Sequence, residues 1–141
     1  MAAERWPGVA LLTLGLGACT VAPPSLEPGF AGLRLYAPAA DLISAQRLDG
    51  ERLSRGNDLR VPPGAHELLL RYQYDARQGG GLFGEPRRVS CLLRLRYAHF
   101  EAGRHYRLEA RPLAMRAQGW LYGPDAKEPL ARAEVVRCGP F

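Results

Sequence analysis

Covalent chemistry needs a nucleophile, a base and a stabilising group within reach of one another, and this 141-residue chain has few candidates. Its serines are Ser25, Ser44, Ser54 and Ser90, none of them in a Gly-x-Ser-x-Gly turn or a comparable setting. His66, His99 and His105 lack zinc-type spacing with Cys91 or Cys138, and there is no Cys-x-x-Cys, so no metal site is expected. Gly79, Gly80, Gly81 and Gly84 crowd one stretch, but no Lys-Ser/Thr follows them, which argues against a phosphate cradle. Glu101 and Glu109 serve equally well as solvated strand-edge residues. The sequence therefore points to no enzyme, no catalytic residue and no cofactor. The alternative is a small periplasmic hydrolase or transferase using histidine and carboxylates, which requires a pocket holding a histidine within hydrogen-bond reach of an acid.

Cys19 is the residue whose surroundings do point to chemistry. Val9 to Leu16 is an uncharged apolar run, too short for the roughly 20 residues of a membrane helix but within the about 7 to 15 of a secretory h-region. Leu16-Gly17-Ala18-Cys19 follows: small residues let an extended backbone enter a protease cleft, and a thiolate is a far better nucleophile than a hydroxyl near neutral pH. This pattern resembles the lipobox of bacterial lipoproteins. The resemblance implies that residues 1–18 are a cleaved signal peptide, that Cys19 carries a diacylglyceryl group, and that the freed amine is often acylated as well. At about 0.8 kcal/mol per buried methylene, two or three chains anchor a protein durably. In such lipoproteins an Asp after the cysteine favours retention at the inner membrane. Thr20 stands there instead, so the expected location is the outer membrane, lipid-anchored and facing the periplasm.

Residues 19–29 are read as a lipidated, proline-rich tether, with Pro23, Pro24 and Pro28 and no periodicity that would pack. As polyproline II, at about 3.1 Å per residue, ten residues reach roughly 30 Å from the bilayer. With Cys19 lipidated, Cys91 and Cys138 remain in an oxidising compartment, which predicts a disulfide. Loop entropy for such a bridge is worth roughly 4 kcal/mol before strain.

Residues 30–141 must position everything else as a single β-domain. Sixteen Gly and twelve Pro rule out a long-helix protein, while 47% hydrophobic and 23% charged residues suit one small core. His66, Leu68, Leu70, Tyr72 and Tyr74 alternate with Glu67, Leu69, Arg71 and Gln73. Val89, Cys91, Leu93, Leu95 and Tyr97 alternate with Arg88, Ser90, Leu92, Arg94 and Arg96. Period two predicts two half-buried strands, partners across an eleven-residue connection from Asp75 to Glu85. Shorter strands are expected at Leu33 to Tyr36, Ile43 to Leu48 before the Asp49-Gly50 turn, Leu59 to Val61 before Pro62-Pro63-Gly64, Tyr106 to Ala110 and Trp120 to Tyr122. Pro129 and Val135-Val136 favour a strand over a helix at the carboxy terminus. The expected fold is mainly β, a small antiparallel β-sandwich or barrel-like sheet.

Ile43 to Gly50, then Leu59 to His66 leading into Tyr72, resembles PEGA-type β modules. With Glu101-Ala-Gly-Arg-His-Tyr106 it is also similar to small Gram-negative lipoproteins of uncharacterised function. The resemblance implies an envelope β-domain with no assigned reaction and brings no catalytic residues with it. Two features are candidates for binding. Arg88, Arg94 and Arg96 share a polar face in a chain of net charge +5, suited to anionic lipid or a partner's carboxylates. Leu82 and Phe83 in the glycine-rich tip are either tucked over the sheet or offered to a partner. The expected function is a non-catalytic envelope lipoprotein that binds an envelope protein, a lipid or a cell-wall component, without nucleic acid. Oligomeric state is not legible.

Overall fold

A computed structural model of the chain describes residues 26–54, 56–77 and 84–139. Cys19, residues 1–18 expected as a signal peptide, and Leu82 with Phe83 lie outside the described residues. The rest is strand and turn: β1 (Ala31–Tyr36), β2 (Leu42–Leu48), β3 (Glu51–Arg52), β4 (Asp58–Val61), β5 (Gly64–Arg77), β6 (Pro86–Phe100), β7 (His105–Leu113), β8 (Arg116–Tyr122) and β9 (Ala131–Gly139). They form one open sheet in the order β3-β2-β5-β6-β9-β8-β7-β1-β4. β9 belongs to both halves, pairing β8 through Ala131–Ala133 and β6 through Glu134–Gly139. The inward residues of the two halves enclose a single cluster, with Leu68, Leu70, Tyr72, Leu93 and Leu95 from one side and Leu33, Leu35, Leu108 and Leu121 from the other.

Mainly β architecture agrees with the alternation in the sequence, and so does the pairing of β5 with β6. The sheet is mixed rather than purely antiparallel, because β1 and β7 run parallel, Gly32 opposite His105 and Tyr36 opposite Glu109. Local pattern reports which face a residue takes and not which distant strand lies beside it. The β5–β6 connection is also shorter than expected. Asp75, Ala76 and Arg77 continue the ladder opposite Arg88, Arg87 and Pro86, and Pro86 opens its strand where a missing donor costs least.

Turn chemistry places the strand ends. Asp49 and Gly50 have φ of 48° and 85°, the two positive values of a tight hairpin turn, and β3 follows directly. Gly64, at φ 106°, lets the chain leave Pro62-Pro63 and enter β5. An extra β6 residue sits between the pairs Gly64 with Phe100 and His66 with Tyr97, a bulge that turns Phe100 inward. Phe100 then meets Tyr97 and Tyr106 edge-on, each with ring centroids 5.0 Å apart. The Tyr106 hydroxyl closes the next turn, accepting the Glu101 N–H at 3.0 Å and donating to the His99 carbonyl at 3.3 Å.

Cys91 and Cys138 are directly opposite in the β6–β9 ladder, Cα atoms 4.1 Å apart, and are joined by a disulfide. Cys91 is fully buried among Val89, Leu93 and Leu95, as the period-two reading placed it. The bond therefore ties the last strand to the centre of the core.

At the β7–β8 turn Ala114 adopts φ 52°, a conformation that costs a non-glycine residue about 1 kcal/mol or more. Tyr74, buried in β5, holds that turn: its hydroxyl lies 2.8 Å from the Ala114 carbonyl and 2.7 Å from that of Arg116. Tyr74→Phe keeps the ring and removes the proton those carbonyls share. It should lower the unfolding free energy by about 1–2 kcal/mol in urea titration, whereas an unchanged midpoint would show that water replaces the hydroxyl at no cost.

Candidate binding surfaces

The two outward faces carry the polar side chains, and they handle charge differently. On the β4-β1-β7 half, Gly32 lies between Arg60 and His105, and Arg34 between Asp58 and Arg107. The β8–β9 connection at Gly123–Asp125 and the segment Leu26–Glu27 close this surface into a groove of about 710 Å³. Gly32 is its floor. A Cβ there would stand 2.8 Å from Leu26 Cδ2 and 3.0 Å from His105 Nδ1, so glycine is what lets Leu26 lie across β1.

Cations in this groove are matched by the chain's own carboxylates. Arg34 Nε donates to Asp58 Oδ1 at 2.5 Å, Arg60 pairs with Glu27, and Arg107 Nε donates to Glu109 Oε1 at 2.8 Å. The Arg107 guanidinium also lies over the Tyr122 ring, 4.8 Å from its centroid. Such exposed pairs contribute little stability each. Their effect is to neutralise the arginines of the groove, whose wall also carries His105 and Asp125.

His66 does meet an acid, away from the groove. Its Nδ1 is 2.6 Å from Asp49 Oδ2 and its Nε2 is 3.3 Å from the Pro63 carbonyl, so both ring nitrogens face acceptors within the fold. Asp49 Oδ1 accepts the Glu67 N–H at 2.8 Å, and the Asp49 N–H donates to the Glu67 carbonyl at 2.8 Å. The Asp49-Gly50 turn is thus clipped to the start of β5. The Glu67 N–H, and after it the His66 ring, hold the Asp49 carboxyl below the usual carboxylate range. Among the described residues, no group of three or more His, Cys, Asp and Glu side chains gathers to hold a metal ion.

The arginines singled out in the sequence lie on the outward face of β6, as parity requires, and β5 answers two of them. Arg88 Nη1 is 3.1 Å from Asp75 Oδ1, and Arg96 Nε donates to Glu67 Oε2 at 2.7 Å. Arg94 Nε stays 3.6 Å from Glu67 Oε1, too far for a hydrogen bond. Two further residues of this face carry no mark in the sequence. Arg71 stands opposite Leu92, and Ser90, 2% exposed, opposite Gln73. Arg71 Nε, Ser90 Oγ and Arg94 Nε are buried atoms without a hydrogen-bond partner among the described residues. Knowing the β5–β6 register would have brought these three together, whereas alternation alone marks each only as outward.

No family model, curated protein or solved structure matches the chain.

The Asp49 clip has a pH signature. A carboxyl held low in the fold contributes stability above its unfolded pKa of about 3.9, and that contribution disappears as pH falls through the folded value. Asp49→Asn, which tolerates the positive φ, should destabilise the fold modestly at neutral pH, since the half-exposed carboxylate is screened by solvent, and by less at about pH 2. Thermal unfolding at the two pH values checks it; an equal deficit at both would assign the cost to geometry rather than charge.

Proposed function

We propose that this protein is a non-catalytic lipoprotein of the bacterial outer membrane, anchored through Cys19 and facing the periplasm. Its PEGA-like β-domain serves as a binding or structural module for an envelope component. The observation that carries this reading is Leu16-Gly17-Ala18-Cys19 directly behind an apolar run too short to span a bilayer. The Cys91–Cys138 bond fits it, since such bonds persist in oxidising compartments. So does the arrangement at His66, whose two nitrogens are engaged within the fold. The competing hydrolase or transferase reading draws on His105, which shares the groove with Asp58 and Asp125. It is weaker because, among the described residues that line the groove, none is a serine, threonine or cysteine to act as a nucleophile.

Mass analysis of the membrane-extracted protein tests this reading directly. The expected product lacks residues 1–18, begins at an acylated Cys19, and gains two hydrogens on reduction. Cys19→Ala should leave the chain uncleaved and unacylated. A full-length, unacylated wild-type chain in the soluble fraction would overturn the proposal.

A further inference from the structure

We infer that the outward face of β5 and β6 around Arg71, Ser90 and Arg94 is a docking surface for the phosphate headgroups of anionic phospholipid. The inference rests on the lipoprotein reading for its choice of partner and on the fold for its site.

Ladder geometry brings the three residues together. Arg71 is opposite Leu92, Arg94 opposite Leu69, and Ser90 opposite Gln73. Arg71 is therefore the diagonal neighbour of both Arg94 and Ser90, at the roughly 7–8 Å typical of such pairs. On β1, β4 and β7, by contrast, Arg34, Arg60 and Arg107 each have a carboxylate. Here Glu67 is divided between Arg96 and the more distant Arg94.

What singles out this face is unmet hydrogen-bonding capacity. Arg71 Nε, Arg94 Nε and the Ser90 hydroxyl are withdrawn from solvent with nothing to bond. Buried polar groups normally find partners, and an orphan calls for one. Among the described residues no acceptor meets Arg71 Nε, so its guanidinium can turn outward to an arriving anion. A phosphate diester offers two non-bridging oxygens that match the guanidinium fork. Leu69 and Leu92, half-buried between the arginines, supply apolar surface of the kind that rests at a headgroup boundary. Acidic polypeptides offer carboxylates with the same fork. The bilayer is favoured because Leu26 and Glu27 are already packed on the domain, so that a tether of about six residues keeps the membrane within roughly 20 Å, which makes even a weak site effectively intramolecular.

The test uses the processed chain, residues 19–141, carrying Cys19→Ser, so that neither an acyl group nor the apolar run Val9 to Leu16 contributes, with the disulfide intact. Cosedimentation is measured with vesicles of equimolar phosphatidylglycerol and phosphatidylcholine, and with phosphatidylcholine alone. The account expects binding to the anionic vesicles that weakens with ionic strength. Arg71→Gln with Arg94→Gln should reduce it by about thirtyfold. Arg34→Gln with Arg60→Gln removes the same charge from the other half and should leave it nearly intact. The single variants Arg71→Gln and Arg94→Gln should each give an intermediate loss, which covers a double variant that folds poorly. Equal losses in the two double variants, no preference for phosphatidylglycerol, or tighter capture by polyglutamate would each overturn the proposal. An unacylated wild-type Cys19 combined with intact phosphatidylglycerol binding would instead remove the lipoprotein reading and leave this surface standing.

Discussion

β9 is the strand through which the two half-sheets become one fold, because it spends its first residues on β8 and its later ones on β6. That double pairing sets tight conditions at the crossing. Gly119 of β8 lies opposite Ala133, and a Cβ on Gly119 would approach the Ala133 Cβ to 3.2 Å and Leu93 Cδ1 to 3.6 Å. Small residues are what allow β8, β9 and β6 to converge there. Five residues further along β9, a register shift between Leu92 and Leu93 brings Cys138 opposite Cys91, and the disulfide fixes the strand in that register. Loop entropy worth roughly 4 kcal/mol is large against the 5–15 kcal/mol by which a domain is stable. The tie falls at the strand whose release would separate the halves.

Legibility in the sequence followed the physics of each signal. Leu68, Leu70, Tyr72, Val89, Cys91, Leu93 and Leu95 all face the core as period two predicts, because one face of each strand is dry and the pattern is local. Asp49-Gly50 and Gly64 reveal their turns because few residues accept those backbone angles. The Ala114 turn is silent, since its stabilising group is Tyr74, forty residues away. Parallel pairing of β1 with β7 is silent too, being a matter of neighbours and not of alternation. Gly32 looks like an ordinary strand glycine until Leu26 is seen lying on it.

Function divides along the same line as the sheet. The β4-β1-β7 half has a groove whose charges are settled internally, with Leu26 and Glu27 already occupying part of it. On the β5–β6 face Arg71 Nε, Arg94 Nε and the Ser90 hydroxyl have no hydrogen-bond partner among the described residues. The arginine stripe was visible in the sequence as Arg88, Arg94 and Arg96, yet its unsatisfied members are Arg71 and Arg94 with Ser90. The difference arises because Asp75 and Glu67, across the ladder, engage Arg88 and Arg96.

If β9 and its disulfide join the halves, their stabilities must be coupled through Cys91–Cys138. Native-state amide hydrogen exchange in the oxidised and reduced protein measures that coupling residue by residue. The account predicts that reduction lowers the protection of Leu93 in β6, Ala133 in β9 and Leu121 in β8 by a common free energy of about 4 kcal/mol. Loss confined to residues 134–139, with Leu121 unchanged, would show that β9 frays alone and would contradict it.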